Sequence, residues 1–468
     1  MIGDMNNDDR LSQLDIPMTP CNHREFCGGC TFNGEDYESV LNIKESEVQA
    51  LFKEKAGLIL DCNDKNSEND NGSRLEFSYF KGEYQGIVGC PPEWRYRYRN
   101  KMEYTFGDLV KDGPLQLGMH KKGNFMSIIT VDNCQLVPRD FNTILGFTLN
   151  FAATSGLNHY HKKTHKGVLR NLIIRKGIRT NEILVDIVTS SECDEFINSD
   201  VIADTNANEK DDVNINLLKR FDAKRFDAER WRDGLLLLNL DSKIVGIMHT
   251  INDNIADAVY CDQQRILFGR DYYYEEICDL RFKVNIFSFF QTNVNAVERL
   301  YEEAVSLLPA LEGKIVYDLF CGTGTISQIV AKKAKKVIGI EIVEDSVEAA
   351  KVNTTLNEID NCEFICGDVF EVLNSASNTS KIEDNLPNPD VIIVDPPRVG
   401  LRTKAVNKIA SYGVPEILYI SCNPKTLAMD IADFRLMGYD PTYIKAYDNF
   451  CWTKHCEVVT LLKRIIHN

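Results

Sequence analysis

The chain has 468 residues, of which 44% are hydrophobic and 26% charged, with a formal net charge of −16. That length exceeds one compact core and predicts two or three domains, while the ordinary apolar fraction predicts a soluble globular protein. The excess of acid excludes a chain coated in positive charge, so any grip on nucleic acid must rest on a local face.

The opening "MIGDMNNDDR" lacks the basic stretch and apolar run of a secretory signal. The longest greasy segments, such as "DGLLLLNL", fall far short of the roughly 18 apolar residues that a membrane span requires. A cytoplasmic location and no membrane partner are expected. With that location, the 15 cysteines are expected as free thiols rather than a disulfide framework.

Three thiols crowd into "CNHREFCGGC", namely Cys21, Cys27 and Cys30. Four deprotonated, convergent thiolates hold an iron-sulfur cluster or a structural zinc. Cys27 and Cys30 form one C-x2-C pair with no second pair downstream. The best single fourth ligand is Cys134 in "TVDNCQLVP", expected at the start of a β segment. Cys62 and Cys90 receive no role.

After this cluster, "DYESVLNIKESEVQALFKEKAG" has helical periodicity and ends at Gly57, and "DCNDKNSENDNGSR" reads as a polar loop. From Glu76 to about Asp186 the chain is mainly β. There, "WRYRYRNKMEY" interleaves Arg95, Arg97, Arg99 and Lys101 with Trp94, Tyr96 and Tyr98, as a strand with a cationic and an aromatic face would. "HYHKKTHKGVLRNLIIRKGIR" holds no acid. The two stretches are either an RNA-binding face or edge strands guarded by charge. Residues 190–234 read as an insertion with a small exposed helix around "KRFDAKRFDAER".

The texture then changes to apolar strands alternating with helices, the pattern of a parallel sheet buried on both faces. The expected division is 1–75 for the cysteine segment and helix, 76–280 for a mainly β region, and 281–468 for a Rossmann-like α/β domain.

"YDLFCGTGTISQIVA" sets a strand, a Gly-rich turn and a helix in succession. Gly322 and Gly324 let the backbone approach a ligand, and Glu341 ends the next strand, where an acid hydrogen-bonds a ribose diol. Asp368 ends the third strand, suited to an adenine amino group. This order resembles a class I S-adenosylmethionine methyltransferase.

The fourth strand ends in Asp395-Pro396-Pro397-Arg398, which resembles the D/N-P-P-x corner of methyltransferases acting on nucleobases. The fifth delivers Cys422 to the carboxyl edge of the sheet, where ligands bind. A thiolate there suits methylation of a pyrimidine carbon. Its addition to carbon 6 of uracil makes carbon 5 enolate-like, and a base must later remove the carbon 5 proton so that the thiol can leave. Glu457 opens a last strand expected to run antiparallel and to start at the same edge. His455 is a rival base two residues away.

"FSFFQTN", "DLFCGTGT", "GIEI", "DPPRVGL", "YISCNP" and "HCEVVTLL", in this order, resemble the RNA uracil-5-methyltransferases that make 5-methyluridine in ribosomal and transfer RNA. The resemblance implies that Gln291, Phe320, Glu341 and Asp395 contact S-adenosylmethionine, with Asp368 added from its loop position. It also implies Cys422 as nucleophile, Glu457 rather than His455 as base, and a [4Fe-4S] cluster on a C-x5-C-x2-C run plus a distant cysteine. Large-subunit (23S) ribosomal RNA is the first expected substrate and the T-loop uridine of transfer RNA the second, with the chain acting as a monomer. With twenty residues before Cys21, the TRAM module that many members carry is not expected. A radical S-adenosylmethionine enzyme uses a different cysteine spacing, C-x3-C-x2-C. A cytosine-5 methyltransferase is disfavoured by Glu457, and an RNA-binding or folding factor without activity by the pairing of Cys422 with Glu457.

Overall fold

A computed structural model describes residue 17 and residues 19–60, 78–191, 226–255, 259–375 and 386–465. Helix α1 (Tyr37–Leu51) is capped by Asp36, whose carboxylate accepts from the Ser39 amide, and its continuation over Phe52–Ala56 widens to π geometry before stopping at Gly57, where φ is 66°. Short strands β1 (Leu58–Ile59) and β2 (Ser78–Tyr79) pair in parallel, and β3 (Glu83–Val88) follows.

The first large sheet is built from β4 (Lys101–Asp108), β5 (Leu115–Lys121), β6 (Asn124–Thr130), β7 (Leu169–Gly177), β8 (Glu182–Thr189), β9 (Lys243–Ile251) and β10 (Gln263–Gly269). Its order is β10-β9-β8-β7-β4-β5-β6, antiparallel throughout except for the β8–β9 pair. Helix α2 (Arg139–Ser155) packs on it.

The stretch around Arg95–Arg99 is not a strand. Arg97 adopts φ 56°, which breaks the alternation, and the Arg97 and Arg99 amides donate to the carbonyls of Gln135 and Leu136. Cys134 likewise sits in the loop after β6 rather than at a strand start. Most of the 190–234 insertion lies outside the described residues. Its end forms helix α3 (Ala228–Leu236), which is not wholly exposed: Trp231 is buried, and its indole N–H donates to Thr148 on α2 at 3.1 Å.

A hairpin of β11 (Tyr272–Ile277) and β12 (Leu280–Asn285) leads into α4 (Val294–Ser306). The chain then winds through β13 (Ile315–Leu319), α5 (Thr325–Ala331), β14 (Lys336–Glu341), α6 (Glu344–Leu356), β15 (Cys362–Cys366), α7 (Val369–Ser375), β16 (Val391–Val394), α8 (Arg402–Ser411), β17 (Glu416–Ser421), α9 (Pro424–Leu436), β18 (Tyr439–Tyr447) and β19 (Glu457–Arg464).

The resulting sheet has the order β15-β14-β13-β16-β17-β19-β18-β3. Strands β13 to β17 are parallel, and β19 slots antiparallel between β17 and β18. The chain direction across the sheet reverses between β13 and β16, and ligands of such sheets bind in the crevice outside the strand ends at that point. All four residues of β16 are buried, as a strand covered by helices on both faces requires.

The N-terminal residues are built into this second sheet. Strand β3 pairs with β18, and Val48, Phe52 and Tyr84 share a core with Ile338, Ile392 and Ile444. A separate continuous core joins Ile173, Leu184 and Met248 of the first sheet to Val316, Ile393 and Leu418 of the second. Among the described residues no helix is long and apolar enough to cross a membrane.

Candidate active site

The carboxyl ends of β13, β14 and β16 bring together three acids. After β13 the chain turns sharply: Phe320 has φ 65°, and its amide donates to the Ile340 carbonyl at 2.9 Å. A bulky residue in that region costs about 1–2 kcal/mol, so the surrounding contacts must hold it. Gly324 has φ 76°, and a Cβ there would meet the Phe364 ring at 2.9 Å and Ala350 at 3.0 Å, which makes glycine obligatory. Glu341 ends β14, and its carboxylate accepts from the amides of Gly322 (3.1 Å) and Val343 (2.9 Å). One side chain thus clamps the glycine loop to the neighbouring strand.

Asp395 follows β16, and burial pushes its carboxyl up to about 7, with the nearby Asp318 adding to the effect. Asp318 is a site residue that the sequence reading passed over. It lies on β13 at 0% exposure; its Oδ2 accepts from Ser327 Oγ at 2.5 Å, while its Oδ1 has no partner among the described residues. Burial holds it up at about 7 as well. An acid inside the apolar run "KIVYDLF" was the signal available.

A buried acceptor without a donor, ringed by acids at the switch point, fits a ligand that brings N–H groups and positive charge. S-adenosylmethionine, with an ammonium and a sulfonium, meets that description. Gln291 sits just before α4 and donates to the Tyr301 hydroxyl at 3.0 Å. Burial holds Tyr301 well above the ordinary phenol value, and Asp395 and Glu457 act on it too, so Gln291 is joined to the acidic group through one buried ring. Asp368 is exposed and accepts from the Glu371 amide at 3.1 Å, at the rim rather than inside.

Cys422 leaves the end of β17 half-buried. Burial raises its thiol to about 11, with Glu457 and Asp395 adding to the rise and the Arg398 guanidinium opposing it. The Arg398 carbonyl accepts from Asn423 Nδ2 at 2.8 Å and Thr426 Oγ1 at 3.3 Å, which ties the proline corner to the start of α9.

Glu457 opens β19, which runs antiparallel to β17 and pairs Val458 with Ser421. Glu457 therefore starts where Cys422 ends. Its carboxyl is buried and raised to about 8. His455 precedes the strand; burial and the cations Arg398 and Lys454 lower its imidazole. It lines a cavity of about 290 Å³ with Cys422, Arg398, Lys44, Lys425 and Lys454.

The four N-terminal thiols converge. Cys21, Cys27, Cys30 and Cys134 line one cavity of about 120 Å³, together with Arg99 and Met102. Burial raises Cys30 far above an ordinary thiol, and Cys134, Cys27 and Cys21 each push it further, whereas Arg99 opposes them. The two segments are stitched by side-chain amides: Cys21 N–H donates to Asn33 Oδ1, and Asn33 Nδ2 to Gln135 Oε1. No three of these sulfurs lie within 4.8 Å of one another; among the described residues that closeness occurs at Cys278, Glu298 and Glu302, where Glu298 is paired to Arg179.

The family model for tRNA (uracil-5-)-methyltransferases matches residues 229–465. An uncharacterised RNA methyltransferase of Clostridium acetobutylicum is 41% identical over 440 residues, covering 94% of this chain and 82% of that protein. One of Clostridium tetani is 40% identical over 438 residues, with the same shares. The tRNA (uracil-54, C5)-methyltransferase of Pyrococcus abyssi, solved with S-adenosyl-L-homocysteine, has a TM-score of 0.62 at 23% identity, covering 93% of this chain and 86% of that one. That last likeness shows a shared fold. The extent of the sequence matches goes further, and places the chain in the tRNA (uracil-5-)-methyltransferase family, as an S-adenosylmethionine-dependent RNA methyltransferase.

Proposed function

We propose that the protein methylates carbon 5 of one uridine in RNA through a covalent Cys422–uracil adduct, with Glu457 as the base that resolves it. The observation that carries this reading is the meeting of Cys422 and Glu457 at one sheet edge, beside the acids gathered at the switch point. The uridine leaves its stack to enter the cavity at Cys422. The Cys422 thiolate adds to carbon 6, and Arg398 favours that charged form.

S-adenosylmethionine supplies the methyl cation equivalent to carbon 5. Gln291, Phe320, Glu341, Asp368 and Asp395 hold it, with Asp318 added on the ground of its unpartnered oxygen. Glu457 then takes the carbon 5 proton, the electron pair re-forms the carbon 5–carbon 6 double bond, and the thiolate is expelled.

The four thiols suit a [4Fe-4S] cluster better than zinc. The support for this choice is the C-x5-C-x2-C run plus one distant cysteine, the ligand set of the branch the chain resembles. The cluster would tie residues 21–30 to the turn at Cys134. The enzyme acts in the cytoplasm as a monomer.

Large-subunit ribosomal RNA is the proposed substrate, on the cysteine set of the branch it resembles; the T-loop of transfer RNA is the second reading, favoured by the family description. Incubation with RNA in which uridine is replaced by 5-fluorouridine tests the chemistry. Fluorine cannot leave as a proton does, so a stable RNA adduct is expected on the peptide holding Cys422. An adduct on another cysteine overturns the reading.

A further inference from the structure

The segment Asp448–Cys456 leads into β19 and Glu457. Most of it is buried, Lys454 being exposed, so its carbonyls need internal partners. The N-terminal part of the chain provides them. The Tyr98 hydroxyl donates to the Cys451 carbonyl at 3.0 Å, and the amides of Thr31 and Phe32 both donate to the Trp452 carbonyl at 2.9 Å.

Lys44, on α1, does more. Its ammonium donates to Asp448 Oδ1 at 2.5 Å, to the Phe450 carbonyl at 3.3 Å and to the His455 carbonyl at 3.0 Å. An ammonium has three donors, and all three are engaged at the two ends of this segment. Lys44 and Asp448 are 1% and 0% exposed, and the Tyr37 hydroxyl donates to the other Asp448 oxygen at 2.8 Å. A buried ion pair is weak evidence for stability, since its desolvation cost offsets its attraction and an apolar pair does as well or better. Its placement is more informative. Lys44 lines the same cavity as Cys422, and the carbonyl it holds lies two residues before Glu457.

We propose that Lys44 is a positioning residue for Glu457, fixing the His455 carbonyl so that the carboxylate stays within reach of the carbon 5 proton of the adduct. The proposal rests on the roles of Cys422 and Glu457 proposed above. Thiol attack and methyl transfer need no base at carbon 5, and the Glu457 charge opposes the Cys422 thiolate, so displacing Glu457 does not slow them, whereas it does slow proton removal. Loosening the segment therefore slows one step, the collapse of the methylated adduct, in which the carbon 5–hydrogen bond breaks, the carbon 5–carbon 6 double bond re-forms and the carbon 6–sulfur bond breaks.

Lys44→Met alone leaves Asp448 buried without its counter-charge and is expected to destabilise the fold strongly. The double variant Lys44→Met/Asp448→Leu removes both charges and keeps the fold testable. Each variant is incubated with S-adenosylmethionine and total RNA from a strain lacking the enzyme. Released 5-methyluridine is measured by mass spectrometry, and the RNA-bound fraction of protein on denaturing gels.

The folded double variant is expected to turn over at least tenfold more slowly while its RNA-bound fraction rises several-fold. Turnover and adduct falling together, or neither changing, overturns the proposal. Glu457→Gln run in parallel separates the two levels of inference. Strong accumulation of its adduct, with none in the double variant, overturns the role of Lys44 alone; no accumulation in Glu457→Gln overturns the assignment of the base and the proposal with it.

Discussion

Glu457 starts β19 where Cys422 leaves β17, because the antiparallel ladder pairs Ser421 with Val458. The pairing sets two groups that ionise as anions side by side. Burial raises both groups; the Glu457 charge adds to the rise of the thiol, to about 11, and the Asp395 charge to that of the carboxyl, to about 8. Arg398 is the cation that works against this for Cys422.

The reactivity of Cys422 therefore depends on Arg398. Alkylation follows the thiolate fraction, which below pH 11 rises about tenfold per pH unit. Arg398→Ala removes the opposing charge, and labelling of Cys422 by iodoacetamide at pH 8 is expected to slow several-fold, read by peptide mass spectrometry. Equal or faster labelling would contradict the electrostatic picture.

Glu457 makes stability depend on pH. Its carboxyl is held at about 8 against an ordinary 4.5, so the folded chain binds this proton more tightly than the unfolded chain does. The stability it contributes is full below pH 4.5 and is lost as pH rises through 8. Glu457→Gln removes that loss. At pH 9 the variant is expected to melt about 2–4 °C above the native protein, with the gap closing towards pH 4.5 in calorimetric scans.

Glu341 holds the glycine loop through two amides. Glu341→Ala frees Gly322 and Val343 and removes the proposed acceptor for the hydroxyls of S-adenosylmethionine. Titration calorimetry with S-adenosylhomocysteine is expected to show at least a tenfold loss of affinity, about 1.4 kcal/mol or more. Glu341→Gln, which keeps one acceptor oxygen, is expected to lose less.

The thiol cavity makes a compositional prediction. Protein isolated without oxygen should carry about four irons per chain, and Cys30→Ser should lose them. Zinc in stoichiometric amount, with iron absent, would reverse the choice of metal.

The α/β half was legible because its information is local. Apolar runs such as "DVIIVDPP" and a glycine turn after β13 declare buried parallel strands, and Cys422 declares itself by following such a run rather than lying within it. The segment Arg95–Arg99 misled, since a period of two is also what a chain shows when Arg97 turns to positive φ and the amides seek the 135–136 backbone. Lys44 was illegible for another reason. On an amphipathic helix a lysine reads as solvated, and its partner Asp448 lies 404 residues away. The joining of β3 to β18 has the same cause: pairing at that distance leaves no mark in either segment.

The central claim is that Cys422 is the nucleophile for methylation of uracil carbon 5. Its most direct test is mass spectrometric mapping of 5-methyluridine in ribosomal and transfer RNA from a deletion strain carrying either the native chain or Cys422→Ala. The native chain should restore 5-methyluridine at one position, and Cys422→Ala should leave that position unmodified. Restoration by Cys422→Ala would contradict the claim.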